Sequence, residues 1–293
     1  MITVVGSINM DLVVRTDRFP KQGETALGDL YTTIPGGKGA NQAVAASRIG
    51  SDVQMVGAVG TDAFGRVLVE GLDAEGVHIE HVKQLDGMSG IANILLSEGD
   101  NRIIVVPGAN HLLKQEEIDG LEYLFEASDL VIMQLEIPLP VVQRTLEICR
   151  RIGTPTILNP APSAGYRKEM EPYWTYLTPN ESEAEEIFGA EWENALEQFP
   201  NRLIVTLGKK GARYFDGVKH VLVEGYETQV VDTTGAGDTF NGALGVAISE
   251  QMPFEEAVRF ANAAASLSVE KMGAQGGMPK KEAVLARMRG ASK

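Results

Sequence analysis

The chain has 293 residues, 44% hydrophobic and 23% charged, enough to bury a large core in one big α/β domain or two smaller ones. Its formal net charge is −14, from 26 basic and 40 acidic residues with no basic stripe, which argues against nucleic acid or anionic membrane as partner. No apolar run approaches a bilayer span, and the opening MITVVGSINMD lacks a signal-peptide pattern, so a soluble cytoplasmic protein is expected.

Ile2 to Val5 reads as a short buried strand, followed by strands at 11–16 and 30–34 around the turn-rich FPKQGET. GANQAVAASRI (39–49) reads as a helix of small residues suited to close packing. A regular alternation follows: strand 53–59, helix 64–74, paired strands at 89–97 and 102–106, and helix 114–126. Strand 129–134, helix 138–152, strands 154–159 and 175–178, and helix 180–188 continue it. The single cysteine, Cys149, sits at an apolar position of the helix over 138–152 and reads as core filling; disulfides within the chain are excluded. The rhythm predicts a doubly wound parallel sheet.

The last third differs. Strands at 203–207, 212–216, 220–224 and 228–231 follow one another with short turns, suggesting an antiparallel edge. Helices at 238–250, 254–272 and 279–289 close the chain. Ala257, Ala261, Ala264 and Ala265 form a small-residue stripe, which another helix or a flat nucleotide base could cover. The strands at 11–16, 30–34, 89–97 and 102–106 interrupt the α/β rhythm and could pair into a small second sheet. Nothing marks a conventional domain boundary, so residues 1–293 read as one domain.

Neither common phosphate fingerprint is present. GGKGAN (36–41) lacks the Ser or Thr that a P-loop needs after its lysine, and Phe240 stands where a third Rossmann glycine would fall after Gly235-Ala236-Gly237. The four histidines, 78, 81, 111 and 220, lack metal-ligand spacing. Three polar clusters remain at strand ends, where open α/β sheets bind ligands. GSINMD (6–11) places Asn9 and Asp11 two residues apart, though Asx-turn chemistry explains it as well. GGKGAN offers close backbone approach together with Lys38 and Asn41, or simply a glycine turn that starts a helix. VVDTTGAGDTF (230–240) is either a strand-to-helix turn capped by Asp238, or an anion pocket of turn amides with Asp238 as a base at its lip.

These clusters, with Glu136 in QLEIP, NPAP (159–162), TPNESEAE (178–185), TLGKKG (206–211) and DTTGAGDTFNGAL (232–244), resemble the signatures of the ribokinase family of sugar kinases, also called the PfkB carbohydrate kinases, nearly end to end. The early NxD, GGKGANQA and the late KMGAQ draw the likeness toward ribose-phosphorylating members, ahead of fructokinases and adenosine kinases. The resemblance implies a ribokinase-like α/β fold with a β-sheet lid, and transfer of the ATP γ-phosphate to the 5-hydroxyl of D-ribose; a kinase of another sugar or nucleoside is the alternative. Asp238 would be the base, and Gly235, Ala236 and Gly237 the anion hole. Asn9, Asp11, Gly37, Lys38, Gly39, Ala40, Asn41 and Glu136 would hold the sugar. Asn180, Thr206, Gly208, Gly211, Gly237 and Asn262 match nucleotide-binding positions. Mg²⁺ would accompany ATP, while Asp232, Thr234, Ser268, Lys271, Gly273 and Gly277 would surround an activating potassium ion. The lid strands would also serve a homodimer contact. Two departures bear on the nucleotide half: the segment between Gly189 and Leu203 is short by about one helix, and Asn262 stands where some relatives have His.

Overall fold

The computed structural model describes residues 1–97 and 100–290; the final residues of the 1–293 domain expected above lie outside the described part. In chain order the elements are β1 (Ile2–Val5), β2 (Asn9–Thr16), β3 (Gly28–Gly36), α1 (Lys38–Ile49), β4 (Val53–Gly60), α2 (Ala63–Ala74) and β5 (Val77–Leu85). Next come β6 (Gly90–Ser97), β7 (Asp100–Val106), α3 (Gln115–Asp119), α4 (Glu122–Glu126), β8 (Leu130–Met133), α5 (Leu139–Ile152) and β9 (Thr156–Leu158). The remainder is β10 (Tyr176–Leu177), α6 (Glu181–Phe188), α7 (Glu193–Gln198), β11 (Val205–Thr206), β12 (Gly211–Phe215), β13 (His220–Glu224), α8 (Ala236–Ser249), α9 (Phe254–Ser268) and α10 (Lys281–Met288).

Six strands form a parallel sheet in the order β10-β9-β8-β1-β4-β5. Alternation along a strand sends its two faces to different cores. Leu130 and Ile132 join the cluster under α1, α8 and α9, whereas Val131 and Met133 join the cluster under α4 and α5. The chain leaves β1 first toward β4 and later returns to its other side as β8. That reversal at β1/β8 is where such sheets open a ligand crevice beyond their carboxyl ends. Single parallel bridges, Leu177 to Leu203 and Asn180 to Thr206, carry the sheet on to the antiparallel β11-β12-β13 edge.

The four interrupting strands do pair with one another, in the order β3-β2-β6-β7. Their own core is small, with Val13, Ala92 and Ile94 buried and Ile34 and Leu96 packed against them.

Three sequence expectations are corrected. The segment over 228–231 is not a strand: β13 already closes that edge, Val230 and Val231 stand exposed, and the Val231 amide donates instead to the Val269 carbonyl. Helix 114–126 is two short helices broken at Gly120, and helix 254–272 stops at Ser268 so that 269–278 can turn back. Conversely β5 is an unexpected strand; as the sheet edge it exposes His78 and Glu80 and so carries little hydrophobic signal. Helix α7 lies between Gly189 and Leu203. Helix α9 lays Ala257, Ala261 and Ala264 into the core shared with α8, so another helix explains most of the small-residue stripe. Cys149 is fully buried, and burial pushes its thiol up to about 12, as a core residue should behave. No helix among the described residues is long and apolar enough to cross a membrane.

Candidate active site

Helix α1 starts against the junction of β1 and β2. Gly37 caps it at φ 89°, and a Cβ there would stand 2.7 Å from the Asn9 amide, so glycine alone lets the helix start this close. The Ala40 N–H then donates to the Ser7 carbonyl (2.9 Å), and the Gly39 N–H to Ser7 Oγ (3.4 Å). Ser7 Oγ in turn donates to Glu136 Oε2 (2.6 Å), fixing the loop that follows β8.

The result is a carboxylate-rich cluster around one ammonium, with Asp238, Glu136, Glu183 and Asp11 close enough for their charges to act on Lys38. Burial, reinforced by the negative charges of Glu136 and Asp238 and only partly offset by Lys38, raises Asp11 from 3.8 to about 7. Burial alone would lower Lys38, but Asp238, Glu136, Glu183 and Asp11 outweigh it and hold the ammonium protonated. Such a cluster offers several acceptors and a donor together, as a polyhydroxylated ligand requires.

Asp238 stands in the first turn of α8, buried, with Gly235 as N-cap at φ 77°. A Cβ on Gly235 would come within 2.8 Å of Ala274. The Asp238 carboxylate does not cap its own helix, contrary to the plainer sequence reading. It accepts instead from Asn41 Nδ2 at Oδ2 and from Gln42 Nε2 at Oδ1, both 3.0 Å. A Cβ on Gly237 would meet open space, so the α8 N-terminus is open to a ligand there, while the Ala236 N–H donates to Thr233 (3.3 Å).

The expected nucleotide residues lie along the β10-to-β13 side. Asn180 caps α6 by accepting from the Glu183 N–H (2.8 Å), and the Glu183 carboxylate accepts in return from the Asn180 N–H (2.9 Å). Asn180 bridges to Thr206, whose N–H donates to Pro179 (2.9 Å). Gly208 and Gly211 bracket the turn between β11 and β12. Asn262 Nδ2 donates to the Val223 carbonyl (2.9 Å), so its donor anchors α9 to β13.

Asp232 is tied into its turn: Oδ1 accepts from the Thr234 N–H (2.9 Å) and Oγ1 (2.7 Å), and Oδ2 from the Gly273 N–H (2.8 Å). Burial would raise this carboxyl, but those bonds outweigh it and lower the pKa. Ser268 ends α9, and Gly277 backs directly onto its carbonyl. Lys271 is exposed. Among the described residues no cluster of three His, Cys, Asp or Glu side chains forms a metal cage.

Four further residues belong to the site. Gln42 touches Asp238 directly. Glu183 is partly buried and raised, chiefly by burial, and senses both Lys38 and Asp238 across the two halves. Ser7 orients Glu136. Asn110 clamps the neck of the lid, donating to Asn9 Oδ1 (2.8 Å) and Pro107 (3.0 Å) and accepting from the Ile8 N–H (2.9 Å). The available signal was adjacency: Gln42 follows Asn41, and Glu183 lies in the same TPNESE stretch as Asn180.

Comparison with known proteins agrees with this geometry. The model of the pfkB family carbohydrate kinases matches residues 1–281. The chain is 48% identical over 286 residues to a ribokinase of Bacillus subtilis (strain 168), covering 97% of each. It superposes on a ribokinase structure from Thermotoga maritima with a TM-score of 0.91 at 38% identity, covering 99% of both chains. Arabidopsis thaliana ribokinase complexed with ribose and ATP matches with a TM-score of 0.90 at 34% identity, covering 98% of both. An open parallel sheet with a four-stranded lid, and a buried Asp238 facing the GGKGAN helix, therefore stand in a chain that belongs to the pfkB family of carbohydrate kinases.

Proposed function

We propose that this chain phosphorylates D-ribose with ATP at the 5-hydroxyl, giving ribose 5-phosphate and ADP. The observation that carries the reading is the buried Asp238 carboxylate at the open N-terminus of α8, sharing one pocket with Asp11, Lys38, Asn41 and Glu136. The 5-hydroxyl oxygen bonds to the γ-phosphorus as the bond to ADP breaks, and its proton passes to Asp238. A helix N-terminus makes a carboxylate a weak base. In a loose, metaphosphate-like transition state the proton moves late, so orientation matters more than basicity. Asn9, Asp11, Gly37, Lys38, Gly39, Ala40, Asn41 and Glu136 hold the sugar, and Gly235, Ala236 and Gly237 receive the developing charge. Asn180, Thr206, Gly208, Gly211, Gly237 and Asn262 receive the nucleotide.

Mg²⁺ prefers water and phosphate oxygens, so it travels on ATP and neutralises phosphate charge. The group around Asp232, Thr234, Ser268, Lys271, Gly273 and Gly277 combines one carboxylate with main-chain carbonyls. That donor set suits a large, weakly hydrated monovalent ion, and potassium there would stiffen the turn before α8. The lid supports a homodimer: β7 is exposed along its whole length, and Tyr31, Ile103 and Ile104 are 65%, 51% and 64% exposed, an apolar edge that a second lid would cover. A cytoplasmic location fits an ATP consumer whose one thiol is buried.

The test is ADP release with ribose, deoxyribose, fructose and adenosine. A missing hydroxyl leaves buried partners unpaired at roughly 1–3 kcal/mol, so deoxyribose should lose about 5- to 150-fold in kcat/KM. A kcat/KM for another acceptor equal to or above that for ribose contradicts the reading.

A further inference from the structure

Two neighbouring amides grip Asp238, and they differ in what else they can reach. Asn41 Nδ2 holds Oδ2, and its own Oδ1 accepts from Gln275 Nε2 (3.0 Å). It is among the proposed sugar ligands. Gln42, one residue on, has no exposed surface at all and points toward the sheet. Its Nε2 donates to Asp238 Oδ1 (3.0 Å) and Asn159 Oδ1 (3.2 Å), while its Oε1 accepts from Gln134 Nε2 (2.6 Å). A carboxylate only accepts, so the NH₂ end must face Asp238; Gln134 on the other side pins the amide that way round.

The contacts beyond Gln42 return to Asp238. Asn159 Nδ2 donates to the Thr178 carbonyl (3.1 Å), Thr178 Oγ1 to Asn241 Oδ1 (2.6 Å), and Asn241 Nδ2 to the Gly237 carbonyl (2.8 Å). The ends of β8, β9 and β10 are thus joined to the first turn of α8 through buried side chains. Both the Asp238 carboxylate and the carbonyl preceding it are tied to the sheet.

We infer that Gln42 is a positioning residue: its solvent-sealed amide holds Asp238 Oδ1 throughout turnover, leaving Asn41 free to exchange from Oδ2 to the sugar. The inference rests on the reading of Asp238 as base. Gln42 never touches substrate, so its loss affects the chemical step and spares binding. The charged groups facing Asp238 are Asp11 from β2, Lys38 from α1 and Glu183 from α6, with Glu136 adjoining Asp11 and Lys38 from the loop after β8. None replaces a donor at Oδ1.

Two variants separate positioning from packing. Gln42→Met keeps length and volume but removes the amide. Its kcat should fall about 10- to 100-fold, the usual effect of losing a supporting hydrogen bond, with the calorimetric ribose Kd within about twofold of wild type. Gln42→Glu keeps the acceptor for Gln134 and can donate to Asp238 only while protonated. Its kcat relative to wild type should therefore decline as pH rises from about 6 to about 9, whereas the deficit of Gln42→Met stays constant. Wild-type kcat in Gln42→Met, or a pH-independent Gln42→Glu deficit with ribose affinity lost in proportion, would overturn the inference. Asp238→Asn is measured alongside. Undiminished turnover there refutes the base assignment itself; loss of turnover there with a normal Gln42→Met refutes only the positioning role.

Discussion

Around Asp238 the partners come from far along the chain, Asn41 and Gln42 being 197 and 196 residues away, whereas Asn180 on the nucleotide side pairs with Glu183 three residues on. The residues proposed to hold the sugar are buried or partly buried side chains that converge from α1, α8, the lid strand β2 and the loop after β8. The residues proposed to receive the nucleotide are mostly local: a helix cap, a glycine turn and backbone carbonyls that Asn262 anchors. Convergent side chains can preset charge and proton affinity, as the raised Asp11 and protonated Lys38 show. Local backbone groups cannot be titrated or deleted one at a time. Single substitutions should therefore injure sugar chemistry more selectively than nucleotide binding.

The largest expected break is Asp238→Asn, which keeps shape but removes the proton acceptor. Its kcat should fall by at least about 10²-fold while ribose binding, read by calorimetry, survives. A folded variant with wild-type turnover would remove Asp238 from the centre of the comparison.

A pH series is expected to give the next largest effect. On the proposed reading, sugar hydroxyls donate to an ionised Asp11, whose pKa is raised to about 7. Ribose affinity should thus be constant above pH 7 and weaken by up to about tenfold per unit below it. The same shift has the opposite sense for the ligand-free fold. A carboxyl raised from 3.8 contributes its stability below that value and loses it as pH rises through about 7. An affinity independent of pH through this window would mean that Asp11 does not meet the sugar as a carboxylate.

The smallest effect concerns the turn before α8. Potassium should raise activity severalfold over lithium at matched ionic strength, and Asp232→Ala should abolish the difference. Identical wild-type rates in the two salts would leave Asp232 as an ordinary turn residue, held by Thr234 and Gly273 alone.

The same contrast explains what was legible in the sequence. Glycine-rich turns, helix starts and buried parallel strands write themselves locally, so α1, α8, the lid strands and the alternation of strands with helices could be read directly, while the strand order of the sheet could not. The partnerships of Gln42, Gln134, Asn159 and Asn110 could not, because each joins segments that only the folded sheet brings together. Edge elements failed for a related reason: β5 exposes a polar face, while the apolar 228–231 segment finds no free strand to pair with. The two acidic residues of VVDTTGAGD look alike in sequence, yet Asp232 braces a loop and Asp238 faces the pocket.

The most direct test of separate construction is a calorimetric titration of Asp11→Ala with ribose and, independently, with Mg·ADP. Deleting Asp11 leaves sugar hydroxyls without their acceptor, at roughly 1–3 kcal/mol, so ribose Kd should rise about 5- to 150-fold. Mg·ADP affinity should stay within about twofold of wild type. Equal weakening of both ligands would contradict the account, showing the halves to be one cooperative unit.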